Sequence, residues 1–376
     1  MYDRVMRLFA IVALVLFSSV MICVVSFAKG KEKVYVSLDN YATADENSIL
    51  TLDSKESLKV HIFNSEEADL IIPIFETLGE KDIMVESDYQ KHTMYITIQN
   101  MPRAYFADHY ITASDGFVIE SYCDYTEKQA TIEIKLNGLY ENEIVFKNGM
   151  LMITFFKPKV LADKIVLINI SEDNAIDFNQ TEQTEQTEQT DQTDQTDQTE
   201  QMEKAEEFNE KAVTLEVAKR VRSLFLNSDI KVYILRSKDE NLLLEERIVF
   251  AEELNPDITV IIDIEKGRDS FENGIAAYYN EEYFIPFFGN EQLADHIEYY
   301  TLKETEANVL GIFPESREES LLYHLEMPAA RIAIGYSTNE VEKSLFSEDE
   351  YLNKIALGIY NGILKSYEVM EETEVK

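Results

Sequence analysis

The second half of the chain alternates between short apolar runs and helical patterns, and this alternation most narrows the folds that are open to it. Residues 164–170, 230–235 and 257–264 are nearly continuous apolar runs, as expected of strands buried on both faces. Between them, residues 210–226 and 242–254 carry apolar side chains at helical spacing. The order strand, helix, strand, helix, strand predicts an α/β domain with a mostly parallel sheet flanked by helices.

The preceding part of the chain follows a different period. Residues 58–62, 94–98 and 131–136 alternate apolar and polar side chains, which indicates strands with one buried face. Asn148-Gly149 lies between two further apolar runs and suits the positive φ angles of a tight hairpin turn. We therefore predict a mainly antiparallel β domain over residues 33–159, followed by the α/β domain over residues 160–370.

The N-terminal segment, residues 1–32, predicts export. Residues 8–27 contain serine as their only polar residue type and are flanked by basic residues. This length reaches the roughly 20 residues needed to cross a bilayer, which favours a retained membrane anchor. Cleavage after Ala28 is the alternative, since small residues occupy the positions that a signal peptidase reads. Cys123 is then the one cysteine outside this segment, so we expect no intramolecular disulfide.

Composition adds two constraints. The chain has 71 acidic and 34 basic residues among 376, a formal net charge of −37. Such a charge repels phosphate backbones, so we expect no nucleic-acid partner. Seven Gln-Thr-Glu or Gln-Thr-Asp triplets fill residues 180–200. They hold no apolar side chain that could offset the entropy of ordering, so residues 179–203 are predicted to be a disordered acidic insertion in the α/β domain.

Three segments of the second half follow one another in a characteristic order: VYILRSKD at 232–239, PDITVII at 256–262 and MPAARIAIGYSTN at 327–339. Together with the surrounding strands and helices, they resemble the zinc-dependent N-acetylmuramoyl-L-alanine amidases over residues 163–367. These peptidoglycan hydrolases cut the bond between muramic acid and the stem peptide. The resemblance implies the fold of their catalytic domain.

The resemblance also implies four functional positions, of which one is retained. The first zinc-binding histidine falls at Ser171, the zinc-binding glutamate at Glu210, the second histidine at Asp263 and the general-base glutamate at Ala333. A hydrolytic zinc needs three protein ligands and an open fourth position. Serine, glutamate and aspartate oxygens suit calcium or magnesium better than zinc, and alanine accepts no proton.

Other residues offer little replacement for the missing ligands. His296 and His324 are the histidines of this half, and they fall where the family has none, so we expect core or surface roles for them. Glu172, Asp173 and Glu326 are conceivable substitutes that the strand periodicity does not support. The acidic triplets lie between the first strand and the first helix, where the resemblance puts the first histidine.

These observations lead to a hypothesis and two alternatives. We expect a catalytically inactive amidase-like protein on the outer face of the cell membrane or in the wall, without a metal cofactor, that binds peptidoglycan or an envelope protein. The first alternative is an active amidase with divergent ligands for zinc, supported by Glu210. The second is a structural envelope protein whose β domain performs the recognition.

Overall fold

A computed structural model describes residues 56–374, except for residues 64, 76, 103–104, 127, 171–207, 236–241 and 318–319. The chain divides into two compact units, Met1–Leu161 and Ala162–Lys376. The predicted anchor at 8–27, the triplet repeat and Ser171 lie outside the described residues. Among the helices that are described, none has the length and apolarity required to span a bilayer.

The first unit is built from β-strands. Within the described residues its strands are β1 (Glu56–Ser57), β2 (Val60–Ile62), β3 (Leu70–Pro73), β4 (Ile83–Asp88), β5 (Thr93–Gln99), β6 (Ile111–Ala113), β7 (Val118–Tyr125), β8 (Gln129–Leu136), β9 (Glu141–Lys147) and β10 (Met150–Phe156). They form two sheets, in the orders β1-β7-β8-β5-β4 and β2-β6-β3-β10-β9. All described pairs are antiparallel except β2 with β6, as the sequence pattern predicted in the main. A short helix, α1 (Pro158–Leu161), ends this unit.

The alternating pattern places one face of β8 in the core. Ala130, Ile132 and Ile134 are fully buried, whereas Lys135 is exposed. Each of the three buried residues lies opposite a residue of β5, and Cys123 of β7, which forms no disulfide within the described residues, is buried opposite Ile132. The core therefore follows from the period of two along neighbouring strands.

The hairpin prediction is confirmed. Asn148 and Gly149 connect β9 to β10 and have φ angles of 52° and 70°. Both angles lie in the left-handed region, as a two-residue hairpin turn of type I′ requires. Asparagine and glycine tolerate this region best.

One strand prediction was only partly right. The alternation over residues 58–62 predicted a buried face that includes Ile62, but this side chain is 58% exposed. The strand it belongs to, β2, lies at the edge of its sheet and, within the described residues, pairs only with β6. A residue at the edge of a sheet has fewer neighbours to cover it, so apolar character did not lead to burial there.

The second unit has the predicted α/β architecture. Its described strands are β11 (Lys164–Ile170), β12 (Ile230–Ile234), β13 (Ile258–Glu265), β14 (Ile275–Tyr279), β15 (Val309–Pro314) and β16 (Ala329–Tyr336). Its described helices are α2 (Glu210–Leu224), α3 (Leu244–Leu254), α4 (Asn290–Thr305), α5 (Glu340–Phe346) and α6 (Asp349–Glu374), with a 3-10 helix at Leu321–His324. The strands are ordered β12-β11-β13-β16-β14-β15, and among them only β14 and β16 pair in opposite directions.

The central strands β13 and β16 are buried along almost their whole length. On one face of the sheet, Ile262 of β13 and Ile332 of β16 share a core with residues of α2, α4 and α6. Because successive side chains of a strand point to opposite faces, Asp263 and Ala333 belong to the other face. Asp263 and Ala333 therefore lie on the face of the sheet that is turned away from these three helices.

Helices α4 and α6 pack closely because of two glycines in α6. A Cβ added at Gly358 would lie 2.3 Å from the Cα of Thr301, and one at Gly362 would lie 2.8 Å from the Cα of Ile297. Both distances are below 3.0 Å, a separation that Cβ atoms essentially never show in real structures. The glycines four residues apart therefore allow the backbones of the two helices to approach closely.

Candidate functional site

Two of the four positions implied by the resemblance meet on adjacent strands. Asp263 of β13 lies directly opposite Ala333 of β16 in the parallel register. Both are buried, with 3% and 1% of their surfaces exposed. A carboxylate at this depth requires compensation by opposite charge and hydrogen bonds.

Arg331 of β16 provides that compensation. It precedes Ala333 by two residues, so both side chains occupy the same face of the sheet. Its Nη1 donates hydrogen bonds to Oδ2 of Asp263 at 3.1 Å and to Oε1 of Glu265 at 2.8 Å, and its Nε donates to Oε2 of Glu315 at 2.7 Å. The arginine side chain is only 3% exposed. A guanidinium group therefore contacts the carboxylate of Asp263, the residue for which the resemblance implies a zinc-binding histidine.

Glu315 enters this cluster from the residue after β15. Its side chain is 1% exposed, and its Oε1 accepts the backbone N–H groups of Ser316 at 3.0 Å and Arg317 at 3.1 Å. Its own backbone N–H donates to the carbonyl of Tyr279 at 2.8 Å. These bonds fix the turn after β15 so that the carboxylate faces Arg331.

Arg317 is the second cation of the cluster and lies nearer the surface. Its Nη2 is 3.1 Å from Oδ2 of Asp263, and its side chain is 36% exposed. Asp263 Oδ2 thus accepts from two guanidinium groups, one buried and one partly exposed. We refer below to Asp263, Glu265, Glu315, Arg317 and Arg331 as the arginine–carboxylate cluster.

Tyr278 covers the buried arginine. The Cζ of Arg331 lies 3.7 Å from the centre of the Tyr278 ring, which is a close cation–π contact. The Tyr278 hydroxyl donates to Oε2 of Glu265 at 3.3 Å. Burial and the negative charge of Glu265 raise the pKa of Tyr278 well above its ordinary value, so the ring remains neutral.

The charges in the cluster sustain one another. Burial acts to lower the pKa of Arg331, but Asp263 and Glu315 outweigh that effect and raise the pKa above its ordinary value. Burial acts to raise the pKa of Glu315, but Arg331 and then Arg317 hold it below the ordinary range. Both groups are therefore charged at neutral pH.

Glu210, for which the resemblance implies a zinc-binding glutamate, begins helix α2. The helix is capped by Asn209, whose side-chain oxygen accepts the backbone N–H of Ala212 at 3.0 Å. A carboxylate in this first turn interacts favourably with the helix dipole. In the part of the chain that the structure describes, no hydrogen bond or ion pair is found between Glu210 and the arginine–carboxylate cluster.

The two histidines of this unit occupy other places. Nδ1 of His296 is 3.0 Å from the hydroxyl of Ser366, between α4 and α6, and its ring lies 5.6 Å from that of Phe288. Burial lowers the pKa of His296. His324 ends the 3-10 helix and is exposed, as is Glu326, while Glu172 and Asp173 lie outside the described residues.

The described residues of this region do not suit a zinc ion. They contain no group of three or more histidine, cysteine, aspartate or glutamate side chains in an arrangement that could bind a metal. The carboxylate of Asp263 already interacts with two guanidinium groups, and a dication beside it would lie against the positive charge of Arg331. Asp263 therefore acts as an arginine partner in this structure.

The sequence analysis predicted one member of this cluster, Asp263, as a site residue. It did not predict the other four, which are Glu265, Glu315, Arg317 and Arg331. A signal for Arg331 was present, since it is the one charged residue in the otherwise apolar segment Ala329–Tyr336. Charged residues are rarely buried without partners, so an arginine in a central strand predicts nearby carboxylates. Glu315 and Arg317 gave no comparable signal, because they follow a strand that the sequence pattern did not reveal.

Comparisons with known proteins support the resemblance for this unit. Residues 195–365 match the model of the N-acetylmuramoyl-L-alanine amidase family. The chain is 27% identical over 161 residues to N-acetylmuramoyl-L-alanine amidase LytC of Bacillus subtilis, which covers 42% of this chain and 31% of that protein. It is 25% identical over 176 residues to the germination-specific N-acetylmuramoyl-L-alanine amidase of the same organism, covering 42% of this chain and 70% of the relative.

Solved structures of the same kind are also similar. The N-acetylmuramoyl-L-alanine amidase from Clostridium difficile 630 matches 55% of this chain and 98% of its own, with 21% identity and a TM-score of 0.43. The catalytic domain of CwlV from Bacillus (Paenibacillus) polymyxa matches 55% of this chain and 99% of its own, with 22% identity and a TM-score of 0.41. The sequence matches and the α/β sheet together describe an N-acetylmuramoyl-L-alanine amidase-like domain in the second unit.

Proposed function

We propose that this protein is a non-catalytic, amidase-like component of a bacterial cell envelope that binds peptidoglycan or regulates the enzymes that remodel it. The export pattern at residues 8–27 supports a location on the outer side of the cell membrane, with that segment as the tether. In this proposal the amidase-like unit has kept its scaffold and lost its hydrolytic centre.

The observation that carries this proposal is the buried contact of Arg331 with Asp263. A hydrolytic zinc site needs neutral or anionic ligands around the metal and an open position for water. Here the permanently charged guanidinium of Arg331 contacts Asp263, the residue for which the resemblance implies a zinc ligand. A metal would have to displace that cation from three carboxylates, which makes metal binding unfavourable.

The residue at the implied general-base position supports the proposal independently. Ala333 stands opposite Asp263, and its methyl group cannot accept a proton from water. Loss of a general base alone commonly lowers a hydrolytic rate by about 10²–10⁴-fold. An enzyme that lacked both this base and its histidine ligands would retain little of its activity.

The rival function is an active amidase with divergent ligands, which Glu210 and the family match favour. Metal analysis and an activity assay on the exported chain distinguish the two. We expect substoichiometric zinc after equilibration with the metal, and no release of stem peptides from purified peptidoglycan. Stoichiometric zinc together with peptide release would contradict the proposal and support the rival.

Restoration variants give a sharper version of this test. The triple variant Ser171→His, Asp263→His and Ala333→Glu returns the family's residues but keeps Arg331 in place. A quadruple variant adds Arg331→Leu and removes the buried positive charge. We expect the quadruple variant to bind zinc more tightly than the triple variant, because the metal no longer faces a guanidinium group. Equal zinc affinity in the two variants would mean that Arg331 does not influence the site.

Binding to the wall is tested separately. The exported chain is mixed with purified sacculi and sedimented, and the bound fraction is compared with that of an unrelated acidic protein. We expect the sacculi to retain this chain and not the unrelated acidic protein. If neither peptidoglycan nor other wall material retains it, and no wall hydrolase changes its rate in the presence of the chain, the proposed envelope function is wrong.

A further inference from the structure

Strand β15 forms one edge of the six-stranded sheet in the second unit, and no described strand pairs with its outer side. It pairs with β14 on one side and is the final strand in the order described for this sheet. Its six residues, Val309–Pro314, include no charged side chain. Val309 is 68% exposed and Phe313 is 44% exposed. The edge of β15 therefore combines backbone groups that can pair with another strand and apolar side chains that are exposed to water.

This edge is unusual for such an acidic protein. Soluble proteins commonly protect the edges of their sheets with charged residues, often lysine, because an exposed apolar edge pairs with other chains. Here 71 acidic residues are spread along the chain, yet none lies within β15. Edge strands of this kind are the surfaces to which extended peptides add as a further strand.

A buried carboxylate lies beneath the same strand. Glu298 of α4 is 8% exposed, and the backbone N–H of Gly311 in β15 acts to lower its pKa. Its Oε1 is buried and has no hydrogen-bond partner among the described residues. Burial is the main cause that raises the pKa of Glu298. A carboxylate oxygen in this position lacks a donor, and a donor would lower its free energy.

We propose that the edge of β15 binds an extended, basic segment of a partner protein, which adds to the sheet and directs a lysine or arginine to Glu298. The apolar side chains of such a segment would cover Val309 and Phe313. Charge complementarity favours a basic partner, since the chain carries a net charge of −37 and Glu306 is exposed just before the strand.

A second copy of this chain is a less suitable occupant. Pairing of β15 with its own copy would bring together two strongly acidic chains, and β15 contributes no cation for Glu298. The two occupants predict different oligomeric states, so they can be separated by experiment.

The test uses the exported chain and a fluorescently labelled, end-capped peptide, Thr-Val-Lys-Val-Ile-Lys-Thr, with a matched peptide that has glutamate in place of lysine. Binding is measured by anisotropy at low salt, and backbone protection of residues 309–314 is measured by hydrogen exchange. We expect the lysine peptide to bind and protect β15, and the glutamate peptide to do neither.

Variants assign the binding to the proposed residues. Glu298→Gln should weaken binding of the lysine peptide by about tenfold, because a hydrogen bond to a charged group is lost. Glu291→Gln, an exposed position on the same helix, should leave the affinity unchanged. Unchanged hydrogen exchange elsewhere in the Glu298→Gln chain shows that the variant has folded.

Three results would overturn the inference. The first is absence of protection at residues 309–314 with the lysine peptide. The second is equal binding of the two peptides. The third is a dimer of the unbound chain that Val309→Lys converts to a monomer in sedimentation, which would assign the edge to a second copy.

Discussion

Nη1 of Arg331 lies 3.1 Å from Oδ2 of Asp263, across neighbouring strands and with both side chains almost wholly buried. This pair has two consequences. It places a cation where the amidase resemblance implies a metal ligand, and it makes the centre of the sheet depend on charge balance. A buried ion pair need not add much net stability, but removing one partner leaves the other charge uncompensated.

The Asp263→Asn variant is expected to destabilise the second unit by about 3 kcal/mol, because Arg331 then loses one of its buried counter-charges. Unfolding in urea, followed by far-ultraviolet circular dichroism, measures the change, since the long helices that the structure describes all belong to this unit. Asp349→Asn is the matched control, because Asp349 pairs with Arg220 but is 89% exposed. Equal effects of the two substitutions would contradict the importance of the buried pair.

The Arg331→Met variant should be more destabilising than Asp263→Asn, because it leaves three carboxylates without their shared cation. Combining it with Asp263→Leu and Glu315→Leu should restore much of the lost stability, since well-packed apolar residues often replace a buried ionic group at little cost. The free energies of unfolding of the single and triple variants are compared. A triple variant no more stable than Arg331→Met would show that the carboxylates are not the cause.

The stability of the second unit should fall as the pH is lowered below about 4.5, the ordinary pKa of glutamate. Burial alone would raise the pKa of Glu315, but Arg331 outweighs burial and holds it lower. The unfolded chain therefore takes up this proton at a higher pH than the folded chain does. The stabilisation is present above the unfolded pKa and is lost as the pH falls through the folded pKa.

The Glu315→Gln variant checks this pH dependence. It should be less stable at neutral pH and should lose less further stability between about pH 6 and pH 3 than the unsubstituted chain. Glu340→Gln, which alters an exposed pair with Lys343, should keep the full acid dependence. Urea midpoints measured at each pH give both slopes, and parallel slopes for Glu315→Gln and the parent would refute the assignment.

The Gly358→Ala variant should destabilise the unit, although alanine is the better helix former by about 1 kcal/mol. The added Cβ would meet the backbone of Thr301 at 2.3 Å, so α4 and α6 must separate. Overpacking of this kind typically costs about 1–3 kcal/mol. Thermal unfolding measures the effect, with Glu372→Ala on the exposed side of the same helix as the control. A rise in melting temperature for Gly358→Ala would disprove the close approach.

Local patterns predicted much of the fold. The apolar period of two found the strands that pair in the first unit, and Asn148-Gly149 predicted its hairpin, because each depends on residues that are close in sequence. Strands β14 and β15 were missed. They are short, and β15 lies at an edge where apolar and exposed positions do not alternate.

The sequence by itself predicted the α/β sheet of the second unit, and through the resemblance it assigned Ser171 and Asp263 to positions where histidines are implied. Tertiary structure alone decided which charged residues surround Asp263. Asp263, Glu315 and Arg331 belong to three separate segments, and their charges become partners only when the register of β13 with β16 and the turn after β15 bring them together. The reason is physical: the energy of a buried charge depends on distances to counter-charges and on exclusion of water, and these quantities exist only in the folded chain.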